Sequence, residues 1–184
     1  KNNTERILKY IDHARELGVG LVVFPELALL GYPPKDLLLL PDFVQASQDA
    51  LNEILPHTKG IGILLGSVMP VQGSDKLYNS AILMENGQIL DRVDKFVLPD
   101  YDAFDEGRYF TSSPNIHCLT FRGMKLGVTV GEDLYADGLC KESPDLFINI
   151  SASAYQYAKQ DTKNEMIEKT AAKYDVPFLY VNQV

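Results

Sequence analysis

Three charged residues stand directly at the ends of apolar runs: Glu26 after "LVVFP", Lys95 after "ILDRVD" and Glu132 after "GVTVG". Ligands of α/β sheets bind in crevices at strand ends, where loops converge. A carboxylate and a lysine brought together there can divide one reaction. The acid takes and returns a proton, and the ammonium faces a developing oxyanion. The plain alternative for each residue alone is a strand cap that meets water. The stretch "LGVTVGEDLY" poses a sharper question, because Gly131 separates a buried-type strand from two adjacent acids. Glycine weakens a strand and marks a bend or a close approach. It serves backbone geometry here, or it stands where a reactive side chain belongs.

The segment "KFVLPDYDAFDEGRYF" gathers Lys95, Tyr101, Phe104, Glu106, Arg108, Tyr109 and Phe110 within sixteen residues. A solvated loop needs no such density of rings. A pocket for a small molecule does, with apolar walls and a few placed polar groups. The competing reading is that the rings pin the loop to the core.

These residues need a scaffold, and the periodicity supplies an α/β one. A helix is predicted from Thr4 to about Leu17, capped by Asn3 or Thr4. "VGLVVFPE" reads as a short strand covered on both faces. After the break "GYPPKD", a helical pattern is interrupted at Pro41. "GIGILLGSVM" is the next strand, and "YNSAILMENGQILDRVDK" a hairpin turning at Asn86-Gly87. Residues 95–115 have no period and read as a long loop or a few short turns. A second hairpin turns at Arg122-Gly123, "PDLFINIS" is a strand, residues 159–174 an amphipathic helix, and "VPFLYVNQ" the closing strand. That order points to a mixed sheet with helices on one face and a further layer, such as a second sheet, on the other.

Bulk properties narrow the partners. The chain has 184 residues, 46% hydrophobic and 23% charged, with a formal net charge of −8. This is one ordinary globular domain by length, and its acidity argues against nucleic acid and anionic membranes. Cys118 and Cys140 suggest neither a disulfide framework nor a metal site, so a reducing, cytoplasmic setting is expected, with Cys118 as a small buried hydrophobe. No stretch is long enough for a membrane span. "KNNTERILKYI" lacks an initiator Met, so the chain reads as trimmed at its N-terminus.

Five segments in order, "VVFPELALLGYPPKDLLL", "KFVLPDYDAFDEGRYF", "GVTVGEDLYADG", "NISASAYQYAK" and "VPFLYVNQV", resemble the carbon–nitrogen hydrolase (nitrilase) superfamily. Within it they are most similar to the glutamine amidotransferase domain of glutamine-dependent NAD synthetases. The resemblance implies an α-β-β-α sandwich of two mixed sheets flanked by helices, incomplete here at both ends. It implies Cys–Glu–Lys thioester chemistry on glutamine. Glu26 falls on the general base, Lys95 on the oxyanion-stabilising lysine, Glu106 on a supporting acid and Gly131 on the nucleophile. Substrate contacts fall on Tyr101, Phe104, Glu132, Tyr135, Ser153 and Lys159. On charge, Lys159 suits the α-carboxylate of glutamine and Glu132 its α-ammonium.

Gly131 has no side chain to form a thioester, and Cys118 and Cys140 lie in unsuitable places. The chain as written is therefore expected not to hydrolyse glutamine. A synthetase domain, with its ATP, magnesium and deamido-NAD, is expected outside these residues, and no cofactor within them. The resemblance also implies a homo-oligomer. Two other readings stay open: a free-standing amidase acting on another small amide, which "GYPPKDLL" disfavours, and a non-catalytic binding or assembly module, which Gly131 favours.

Overall fold

Apolar residues at helical spacing build the first layer. Helix α1 (Asn2–Glu16) buries Ile7, Ile11 and Ala14, and α2 (Pro41–Ile54) buries Leu51 and Ile54. The computed structural model describes residues 2–100, 105–113, 117–136, 140, 142–154 and 160–183, with Gln160 described by its backbone alone. Asn3 and Thr4 lie inside α1 and do not cap it; the Asn3 side chain instead donates to the Leu29 carbonyl at 3.3 Å. Pro41 does not interrupt a helix but begins one, where its missing N–H is no loss. The leucines before it form a 3-10 turn, Lys35–Leu39.

Strands β1 (Leu21–Val23), β2 (Gly62–Pro70), β3 (Leu77–Glu85) and β4 (Gln88–Asp94) form one sheet in the order β1-β2-β3-β4. β1 runs parallel to β2, and β2, β3 and β4 are antiparallel. β1 is half-buried, because it stands at the end of the sheet's described order with a single strand beside it; both faces are covered all the same, Val22 packing with the helix-side core and Leu21 and Val23 with the core between the sheets. Strands β5 (Leu119–Phe121), β6 (Met124–Val130), β7 (Leu146–Ser151) and β8 (Phe178–Asn182) form the second sheet, antiparallel between β5 and β6 and parallel thereafter. Helix α3 (Gln160–Tyr174) connects β7 to β8. Both hairpins turn as their residue pairs demand. Asn86 and Gly87 have φ of +53° and +80°, and Arg122 and Gly123 +47° and +84°.

Alternation along β2 divides the core into layers. Ile63 and Leu65 pack with α1 and α2, while Leu64 faces the second sheet, in a cluster with Val128, Val130, Ile148 and Ile150. The result is two mixed sheets face to face, flanked by helices.

Cys118 and Cys140 are joined in a disulfide, their Cα atoms 6.5 Å apart. This corrects the reading of two unpaired cysteines. Their separation of 22 residues has no motif spacing, but the β5–β6 hairpin folds the chain back on itself. The cysteine-based ground for a reducing compartment is thereby removed. Among the described residues no helix is long and apolar enough to cross a membrane.

Candidate active site

The acid after β1 is carried across β2 by a backbone contact that only glycine permits. A Cβ on Gly66 would stand 2.7 Å from the Cα of Glu26 and 2.6 Å from the nitrogen of Leu27. Buried Leu27, at φ +49°, then turns the chain away. A non-glycine residue in that region costs about 1–2 kcal/mol, and here packing holds it.

Glu26 is 2% exposed and both carboxylate oxygens are occupied. Oε1 accepts from Lys95 Nζ at 2.8 Å and from Asn79 Nδ2 at 2.8 Å, and Oε2 from the Ala152 N–H at 3.0 Å. Lys95 follows β4 and is equally buried; its ammonium also reaches Glu106, 3.0 Å from Oε1 and 2.9 Å from Oε2. Glu106 opens a 3-10 turn, Glu106–Arg108, and receives the Tyr32 hydroxyl at 3.2 Å. Two carboxylates thus share one ammonium in a dry site.

The electrostatics follow from that arithmetic. Burial alone would depress the Lys95 ammonium, but Glu26 and Glu106 outweigh it and hold the lysine above its ordinary value. Burial raises Glu106; Lys95 opposes that, and Glu26 adds to it. Burial, Glu106 and Glu26 push the Tyr32 phenol well above its usual value, so it stays a donor.

Gly131 follows β6 and opens a further 3-10 turn, Gly131–Tyr135, at φ +55°. A Cβ placed on it would lie 2.8 Å from Lys95 Nζ and 2.9 and 3.1 Å from the two oxygens of Glu26. A side chain at position 131 would therefore start between the base and the ammonium. The peptide carbonyl of Gly131 accepts from Asn149 Nδ2 at 3.1 Å, and the same amide group reaches Thr129 Oγ1 at 2.9 Å.

The structure thus brings Glu26, Lys95, Glu106 and position 131 together. Glu132 and Ser153 line the same small pocket as Glu26, Lys95 and Gly131. Tyr135 is 45% exposed and is not among the pocket's described lining residues. It ends the turn that Gly131 opens; burial raises its phenol, and it is close enough to Tyr180 and Glu132 to feel their charge. Tyr101, Phe104 and Lys159 lie outside the described residues.

Sequence reading missed several partners. Asn79, a lone amide in an otherwise apolar hairpin arm, was the available signal for one of them. Tyr32 lies in "GYPPKD", a segment that reads as a chain break and carries part of the family resemblance, with nothing to mark the tyrosine as a site residue. Ser153 Oγ lies 2.8 Å from the Tyr180 hydroxyl and accepts from Lys163 Nζ at 3.2 Å. Lys163 also lies 4.9 Å over the Tyr180 ring, and it has no acidic partner among the described residues. It stands as a cation beside a pocket-lining hydroxyl. Asp133 accepts from three backbone N–H groups, of Phe96, Val97 and Val130.

Comparison with known proteins matches this frame. The sequence profile of the carbon-nitrogen hydrolases spans residues 1–184. A glutamine-dependent NAD(+) synthetase of Synechocystis is 40% identical over 99% of this chain, which covers 36% of that protein. The glutamine-dependent NAD+ synthetase of Acinetobacter baumannii, solved with ADP, superposes with a TM-score of 0.88 at 30% identity, over 100% of this chain and 35% of that one. A nitrilase-superfamily amidase of Nesterenkonia, solved as a cysteine-to-alanine mutant, shares the fold at 21% identity, with a TM-score of 0.81 over 98% of this chain and 70% of that one. The chain spans about a third of the length of the curated relatives it matches.

Proposed function

The chain belongs to the carbon-nitrogen hydrolase family, and on that premise we propose that it is a glutamine-binding amidotransferase domain whose nucleophile position is occupied by Gly131. The observation that carries this reading is the place of a Cβ at residue 131, in contact with both Lys95 Nζ and the Glu26 carboxylate.

With cysteine at that position the chemistry follows from the geometry. Glu26 takes the thiol proton, and the sulfur attacks the carboxamide carbon, forming a C–S bond. The carbonyl electrons move to oxygen, which faces Lys95 and the backbone N–H of Glu132. Glu26 returns the proton to nitrogen, the C–N bond breaks, and ammonia leaves a thioester. Water then gives a proton to Glu26, attacks the thioester and releases glutamate and the thiol. Glu106 holds Lys95 in place throughout.

Glycine allows binding and stops the reaction at that point. Tyr101, Phe104, Glu132, Ser153 and Lys159 are proposed to hold glutamine, Lys159 at its α-carboxylate and Glu132 at its α-ammonium. Tyr135, at the end of the same turn as Gly131 and Glu132, is proposed to join them. The chain's span of about a third of the NAD synthetases it resembles supports a partner synthetase domain; that this domain binds ATP, magnesium and deamido-NAD and receives the ammonia, in cytoplasmic homo-oligomers, is part of the proposal.

A second reading has its own support in Gly131: a module that binds a small amide without turnover. The deciding experiment is release of glutamate by Gly131→Cys, with asparagine and simple amides as controls. Release from glutamine supports the first reading. Release from other amides alone favours a free-standing amidase, and release from none favours the binding module.

A further inference from the structure

Lys95 and Gly131 belong to different sheets, one after β4 and the other after β6. Their spacing therefore depends on whatever ties the two strand ends together. Asp133 does this with one side chain. Its Oδ1 accepts from the N–H groups of Phe96 at 3.0 Å and Val97 at 2.7 Å, the two residues that follow Lys95. Its Oδ2 accepts from the N–H of Val130 at 3.2 Å, the residue that precedes Gly131.

We propose that Asp133 is a positioning residue, whose carboxylate bolts the lysine-bearing segment of one sheet to the nucleophile turn of the other. The proposal rests on the reading that Lys95 and position 131 serve one reacting carbonyl. Only a carboxylate meets the demand. Three donors arrive from two directions, and a carboxylate offers acceptor sites on both oxygens. Asparagine has one acceptor oxygen, so its amide NH2 would face either the Phe96–Val97 pair or Val130, donor against donor. A buried acid is expensive to retain, and Asp133 is 5% exposed. Three N–H groups and the nearby charge of Lys95 offset that cost in part. Its neighbour Glu132 lines the pocket.

A thiol introduced by Gly131→Cys reports the spacing without any turnover, because Lys95 draws its pKa down while Glu26 opposes. The rate of alkylation at residue 131 by iodoacetamide, located by peptide mass spectrometry, is followed against pH in the full chain. Adding Asp133→Asn is expected to raise the midpoint and slow alkylation at neutral pH by about tenfold, with the circular dichroism unchanged. Lys95→Met serves as the reference for complete loss of the cation. A folded double variant with an unshifted midpoint overturns the proposal.

In the unmodified chain, the amide protons of Phe96, Val97 and Val130 are expected to titrate together with one midpoint by NMR. This second measurement decides the matter if Asp133→Asn does not fold. Separate midpoints, or none, overturn the proposal. Failure of Gly131→Cys to hydrolyse any amide would count against the function above and leave both of these measurements intact.

Discussion

Lys95 Nζ lies 2.8 Å from Glu26 Oε1 although 69 residues separate them in the chain, and both side chains are 2–3% exposed. A buried pair contributes little net stability, since desolvation offsets attraction, but removing one member leaves the other uncompensated.

Lys95→Met therefore strands two acids. It should cost about 3–5 kcal/mol at neutral pH. The wild-type lysine is held above its ordinary value, so its contribution is present throughout neutral pH and lost only as alkaline pH passes the folded-state value. The variant's deficit should shrink in acid, where a proton can neutralise Glu106, already raised by burial. Urea unfolding at pH 5 and pH 7 tests both statements.

Asp133 is pushed by burial up to about 6, from an ordinary value of 3.8. An acid raised in the folded state gives stability that is complete below the unfolded-state value and lost as pH climbs through the folded one. The stability difference between wild type and Asp133→Asn should therefore fall by about 3 kcal/mol from pH 3.5 to pH 7. Urea unfolding at those two pH values measures it, and a constant difference would contradict the buried, ionising carboxylate.

Gly131 occupies φ +55° at no steric cost, and a Cβ there would press on Lys95 and Glu26. Gly131→Ala and Gly131→Cys should each lower stability by about 1–2 kcal/mol. Only the cysteine should confer activity. Equal stability of all three proteins in thermal unfolding would mean that the turn rearranges on substitution.

Lys163, beside Ser153 and without an acidic partner among the described residues, should feel an anionic ligand. Lys163→Met is expected to weaken glutamine binding by about tenfold, with little effect on an uncharged amide. Calorimetric titration of the unmodified chain and the variant reads this without interference from turnover, and equal affinities would remove Lys163 from the substrate wall.

Much of this arrangement was legible from pattern. Alternation and the Asn86-Gly87 and Arg122-Gly123 pairs locate the hairpins, and charges at strand ends locate Glu26 and Lys95. What was not legible depended on direction in space. Between the neighbours Glu132 and Asp133, no periodicity says which lines the pocket and which turns toward the lysine loop, because a tight turn sends adjacent side chains apart. Cys118 and Cys140 meet only because a hairpin returns the chain. Pro41 looks like a break until the residues before it are seen in a separate turn.

The most direct test is to find the acyl group itself. Gly131→Cys, mixed with glutamine and quenched in acid, should carry a glutamyl thioester on the peptide containing residue 131, and Lys95→Met in that background should abolish it. Glutamate release with no adduct at residue 131 would contradict the meeting of Glu26, Lys95 and position 131 as the reacting centre.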